Sequence, residues 1–161
     1  MTGFLLAVHV LAAILTIGPV AIAASMFPPA VRASLEDPGN HGKVAVVRVL
    51  HRITRVYAVI GIIVPIFGIA TGASLGVLGD AWLLVSMTLT AIAAILLIAT
   101  ILPRQRHLVT TVGAGQSDDT VAATSRATRK LAMSTGIFNL LWAIVVVLMI
   151  YRPGSTTGAG A

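Results

Sequence analysis

Residues 81–102 read AWLLVSMTLTAIAAILLIATIL. Twenty-two positions pass without a charged side chain, between Asp80 on one side and the pair Pro103, Arg104 on the other. A helix needs about 20 apolar residues to cross a hydrocarbon core ~30 Å thick. This run has that length. A soluble fold could hide it only if the rest of the chain supplied cover, and the composition excludes that. Apolar types make up 57% of the 161 residues and charged types 10%, where a soluble domain carries about 25% charged residues. Small domains bury only about two-thirds of the surface they expose unfolded, so a bilayer is the solvent that resolves the conflict.

Three further runs have the same character: 3–27, 56–78 and 131–151. All four are expected to be helices, because the bilayer core offers no water to free backbone groups. The fold class is therefore all-α, a polytopic membrane protein built as a four-helix bundle. One domain spans 1–151, and the Gly/Ser/Thr-rich segment 152–161 reads as a disordered tail. The first run ends in AIAAS, which resembles a signal cleavage site. No Lys or Arg precedes it and it exceeds a signal's apolar length, so it is expected to stay as a span.

Basic residues divide sharply among the connecting segments. Arg32, Lys43, Arg48, Arg52 and Arg55 lie between spans one and two, and Arg104, Arg106, Arg126, Arg129 and Lys130 between spans three and four. The other segments hold only Arg152. Positive loops stay inside. Both long loops are thus expected in the cytoplasm of a bacterial inner-membrane protein, with both termini outside. The net charge of +6 follows from this topology and does not call for nucleic acid as a partner.

Local signals refine the elements. DPGNHG, 37–42, is a turn, and from Lys43 nothing breaks a helix before Pro65. GAGQS, 113–117, is flexible, with Ser117 placed to cap a helix opened by Asp118 and Asp119. The second and fourth helices then start in the cytoplasm. The first and third spans are expected to stop at the prolines of FPPAVR and LPRQR. Gly61 with Pro65, and Pro19, are kink sites. The chain thus reads as two similar hairpins.

Gly68, Gly72 and Gly76 recur every fourth residue and let a neighbouring helix approach closely. They serve packing inside the bundle or an interface with a partner. Asn139 lies within the fourth span and must find hydrogen bonds, either across helices or to a polar substrate. Ser86, Thr88 and Thr90 can bond back to their own helix. Asp80 is placed to cap the third helix.

No Asp, Glu, Lys or Arg lies well inside a span, which removes the usual proton-relay element of a transporter. No cysteine is present, which excludes disulfides, thiolate catalysis and iron–sulfur clusters. His9 is the ionisable side chain inside a span. It is a hydrogen-bonded neutral imidazole or a ligand for haem or a metal. His51 lies at the opposite edge, more than ~20 Å away by helix rise, so the two cannot share one iron within a chain. His41 and His107 fall in solvated loops. Arg48, Arg52 and Arg55 share one helix face with His51 beside them, and Arg126, Arg129 and Lys130 form a second cluster. Anionic headgroups favour such stripes by about 1 kcal/mol per charge; an acidic partner or a phosphate-bearing ligand is the alternative.

Through FLLAVHVLAAILTIGP, LHRITRVYAVIGIIVPIFG and GVLGDAWLLVSMTLTAIAA the chain resembles small bacterial four-helix integral membrane proteins of unknown function. The likeness covers about 3–150. Its first helix is also similar to the histidine-bearing opening helix of CopD-type copper-resistance and HemJ-type protoporphyrinogen oxidase proteins. That resemblance implies haem-linked chemistry at His9. It also implies polar residues in later helices, which find no match in this chain.

The leading expectation is a non-catalytic accessory or scaffolding subunit that associates with membrane lipids and with a larger membrane complex or itself. The alternatives are a haem- or metal-binding redox protein using His9, and a small transporter with a polar path past Asn139.

Overall fold

A computed structural model describes residues 1–114 and 118–154. The chain forms α1 (Thr2–Glu36), α2 (His41–Ile60), α3 (Ile63–Leu75), α4 (Ala81–Leu96), a π-helical turn (Leu97–Ile101), α5 (Leu102–Gly113) and α6 (Asp118–Tyr151). No strand occurs among the described residues. Joined end to end, these elements make four helices long and apolar enough to cross a membrane: Thr2–Glu36, His41–Leu75, Ala81–Gly113 and Val121–Tyr151. They alternate in direction, so both termini and the turn before α4 lie at one end. The Arg-rich segments lie at the other, called here the basic end.

Proline falls within three of the four and reshapes two of them. A proline withholds an N–H from the carbonyl four residues back and crowds it. Pro65 does this to Gly61, and the helix breaks there: Val64 N–H reaches Gly61 O at 3.1 Å, three residues back, and α3 starts afresh at Ile63. Pro103 does it to Ala99. There the helix widens instead, with Leu102 N–H bonding Leu97 O five residues back. α1 carries Pro19, Pro28 and Pro29 and still runs on to Glu36. The first and third helices therefore continue past the prolines where the sequence places their ends. Buried neighbours hold the chain in register: Phe27, Pro28 and Val31 lie in the core, and tertiary packing outweighs a lost hydrogen bond.

The turn before α2 is built by Asn40, whose side chain accepts from Gly42 N–H at 3.1 Å and Lys43 N–H at 3.3 Å, an N-cap. Asn40 also donates to Asp37 at 2.9 Å, and Lys43 pairs with Asp37 at 3.1 Å. The Asn40 amide, and after it the Lys43 ammonium, hold the Asp37 carboxyl below the usual carboxylate range. At the far end Gly76 adopts a left-handed φ of 71° and closes α3, with Val77 N–H on Gly72 O at 3.1 Å, the αL helix stop that glycine favours. Ser117 and residues 155–161, where a cap and a tail are expected, lie outside the described residues.

The dry core fills the basic end and the middle of the bundle. Phe27 and Val31 of α1, Val47 of α2, Ile101, Leu108 of α5, and Leu131 and Phe138 of α6 are all fully buried. Here α2 packs on α1 and α5. Beyond the break at Gly61, α3 stays on α1 but touches α4 little. The half of the bundle near the termini is consequently open inside.

Candidate functional site

That opening is a cavity of about 820 Å³ lined by all four long helices and open to the outside of the bundle, since lining residues such as Ile14, Val146 and Ile150 are exposed. Its walls are almost wholly apolar, with Val10 and Ile14 from α1, Ile69 from α3, Ala94 from α4 and Val145 from α6 among them. The polar groups that reach it are few: His9, Thr90, Trp142 and, at the mouth, Arg152. Thr90 spends its hydroxyl on the Ser86 carbonyl of its own helix at 2.8 Å.

His9 is half-buried on α1. Its Nδ1 lies 2.9 Å from the Val64 carbonyl oxygen. A carbonyl only accepts, so Nδ1 donates the proton, and the neutral ring keeps its lone pair on Nε2. Gly68, one turn on from Val64, makes room for the ring. A methyl group built at Gly68 would stand 2.9 Å from His9 Cε1 and 3.2 Å from Nδ1, closer than carbon atoms pack. The Gly61 break and Pro65 thus position the start of α3, Val64 fixes the tautomer, and Gly68 clears the space.

Trp142 lines the cavity, while its indole N–H is buried and has no hydrogen-bond partner among the described residues. Its ring stands edge-on to Phe138, 6.3 Å between centroids. Met87 and Met149 contribute two thioethers to the same cavity. At the mouth, Arg152 takes φ 44°, which ends α6 before Pro153. Its guanidinium sits 5.6 Å from the centre of the Trp82 ring, and Trp82 Nε1 donates to Asp80 at 3.0 Å. Asp80 occupies the N-cap position of α4 but spends its carboxylate on that indole, with no side-chain bond to the backbone.

The glycine repeat splits into three tasks. Gly68 faces His9, Gly72 faces Leu83 of α4 and Leu78, and Gly76 is a helix stop. Asn139 donates to Ser25 Oγ on α1 at 2.9 Å, while its own carbonyl oxygen has no described partner. His51 lies near the basic end, thirteen residues before Val64, so about 20 Å from His9 along the helix axis at ~1.5 Å per residue. Along the basic stripe of α2, Arg48 approaches Gly113, Arg52 is exposed, and Arg55 lines a cleft with Arg106 and His107. Arg126 bonds Ala122 O of its own helix at 3.4 Å, while Arg129 and Lys130 are exposed.

Trp142, Met87, Met149 and the Val64 carbonyl were not legible as site components from the sequence. An apolar or backbone group carries no functional mark until the fold gathers it. No group of three or more His, Asp or Glu side chains converges among the described residues.

The fold and the cavity define a class: a four-helix protein whose helices suit a membrane, hollow at one end around a single histidine. No family model, curated protein or solved structure matches the chain.

Proposed function

We propose that this protein is a haem-binding membrane protein of the bacterial inner membrane, with both termini outside, and that His9 would hold the haem. One observation carries the reading: an imidazole whose Nδ1–H is fixed on a backbone carbonyl, and which therefore keeps Nε2 as its remaining nitrogen, lines a large, mostly apolar cavity. A ligating histidine characteristically gives its other N–H to a carbonyl or carboxylate in this way. The volume favours a macrocycle over a bare metal ion, because an ion with one nitrogen ligand would leave about 820 Å³ unexplained. Cofactor pockets occupy roughly 300–1,000 Å³ and are mostly apolar.

The residues fit such a group. His9 would hold the iron from one side. Met87 and Met149 line the same cavity and would offer it thioethers, a ligand type that haem iron accepts. Arg152 at the mouth offers positive charge for the carboxylates of a porphyrin edge. Haem, when bound, would supply one-electron chemistry; the protein's share is to fix the imidazole tautomer and to line the site with mostly apolar side chains. The accessory-subunit expectation rests on the lack of a buried charge, a metal-ligand cluster or a nucleotide loop in the sequence; the cavity around His9 supports the haem reading instead. Purified protein from cells grown with haem precursor is expected to show a Soret band near one haem per chain. His9→Ala is expected to lose it and His51→Ala to keep it. An unchanged band in His9→Ala, or no band in the wild type, overturns the assignment.

A further inference from the structure

The basic end holds a second opening that owes nothing to the haem reading. A cleft of about 660 Å³ lies between α2 and α5. Its walls bring together His51 and Arg55 from α2 with Arg106 and His107 from α5, over an apolar floor of Leu102 and Pro103. Two guanidinium groups on one cleft repel each other unless an anion lies between them. Among the described residues no carboxylate lines this cleft, and the one described ion pair, Lys43 with Asp37, lies elsewhere.

One member of the set is held by a buried hydrogen-bond chain. The Thr54 hydroxyl donates to Leu50 O at 2.9 Å, so its oxygen accepts from the Gln105 amide nitrogen at 3.5 Å. That turns Gln105 Oε1 toward His51 Nδ1, 3.2 Å away. Nδ1 therefore donates, and Nε2 is the polar atom the ring has left. Gln105 and Thr54 are both 0% exposed. Burying an amide in a bundle core is costly unless it is paired, and here its pairing orients a cleft residue.

We propose that this cleft binds a phosphate monoester. The Arg55 and Arg106 guanidiniums take the unprotonated oxygens through charge-assisted, fork-shaped contacts. His51 Nε2 accepts from the P–OH, which a monoester retains in part near neutrality because its second ionisation lies near 6. A phosphodiester has no such hydroxyl. The cleft lies where the second and third helices leave their apolar stretches, at headgroup depth for a membrane helix. The monoester is thus carried by a lipid such as phosphatidic acid or by a soluble phosphate compound.

The experiment uses the full-length purified protein in phosphatidylcholine nanodiscs. Binding is measured for labelled phosphatidic acid, for phosphatidylglycerol at twice the mole fraction to match charge, and for inorganic phosphate followed by its ³¹P line width. Tenfold or greater preference for phosphatidic acid over phosphatidylglycerol supports the proposal with a lipid source. Broadening with inorganic phosphate supports it with a soluble source. Equal binding of the two lipids without phosphate broadening, or binding of none of the three, overturns it.

The pair Arg55→Gln with Arg106→Gln is expected to weaken monoester binding at least about tenfold. The pair Arg126→Gln with Arg129→Gln removes the same charge elsewhere and is expected to change it less than about twofold. Equal losses in both pairs reduce the effect to general charge and overturn the site. If the glutamine pair does not fold, Arg55→Lys with Arg106→Lys carries the test. It keeps charge but loses the fork; a drop of about threefold or more supports the site, and unchanged affinity overturns it.

Discussion

His9 and His51 stand at opposite ends of the bundle and share one device. Each ring is fixed through Nδ1 to an oxygen, the Val64 carbonyl at 2.9 Å for His9 and Gln105 Oε1 at 3.2 Å for His51. Each therefore leaves Nε2 as its working atom. What differs is the surroundings. His9 faces a cavity walled mostly by aliphatic side chains, where on the haem proposal the nitrogen would serve as a ligand atom. His51 faces a cleft with two arginines, where on the monoester proposal the same nitrogen would help to hold an anion. The local bond sets the tautomer, and the neighbouring helices set the chemistry. The neighbours differ because the Gly61–Ile62 break divides one long helix in two. α2 packs tightly on α1 and α5, whereas α3 leaves α4 and opens the interior.

The contrast breaks most completely at Gly68. A valine there puts methyl groups where His9 Cε1 and Nδ1 already lie within 2.9 and 3.2 Å of a first carbon. The ring must leave Val64, and Gly68→Val is expected to abolish haem absorbance while helical circular dichroism is retained. Wild-type absorbance in that variant would show that His9 does not work from this position. Met87→Leu and Met149→Leu preserve volume and remove one thioether each. One of them is expected to shift the reduced-state spectrum without lowering the haem content. Shifts in neither would show that no thioether of this cavity ligates the haem.

Gln105→Leu acts at the other end. It takes the acceptor from His51 and a buried partner from Thr54. Loss of such bonds costs about 1–3 kcal/mol where a group is left unsatisfied, so unfolding in denaturing detergent is expected to come earlier by that amount. The haem spectrum is expected not to change, because distant sites without shared partners act independently. A spectral change would show that the two ends are coupled.

Much of the architecture is legible in the residues. Charge-free runs such as 81–102 mark the helices, and DPGNHG marks the turn that Asn40 then caps. Pro65 with Gly61 marks the break. What escapes is whether a proline ends a helix or is absorbed by it, since Pro28, Pro29 and Pro103 all lie inside helices. That depends on partners such as Phe27 and Val31 packing in the core, which no local pattern displays. The site is legible only at His9. Its tautomer comes from a backbone carbonyl 55 residues away, and its space from the missing side chain of Gly68. Likewise Arg106 and His107 read as loop residues until α5 extends past Pro103 and lays them beside Arg55.

The smallest expected effect concerns α6, where Thr135, Asn139 and Trp142 recur on one face and each keeps a buried polar atom with no partner among the described residues. Asn139 tests whether that stripe belongs to the cavity. Asn139→Leu loses the bond to Ser25 at 2.9 Å, and interhelical bonds of this type average about 0.6 kcal/mol. It also removes the unpaired carbonyl oxygen, which offsets the loss. If the stripe serves packing alone, the leucine variant is expected to match the wild type within about 1 kcal/mol, with or without haem. Ser25→Ala is then expected to be the worse change, because it strands the whole amide instead of deleting it. If a ligand in the cavity draws on the stripe, the order reverses in the haem-loaded protein only. Comparing the two variants in both states reads this from the sign of one difference, free of assumptions about absolute stability.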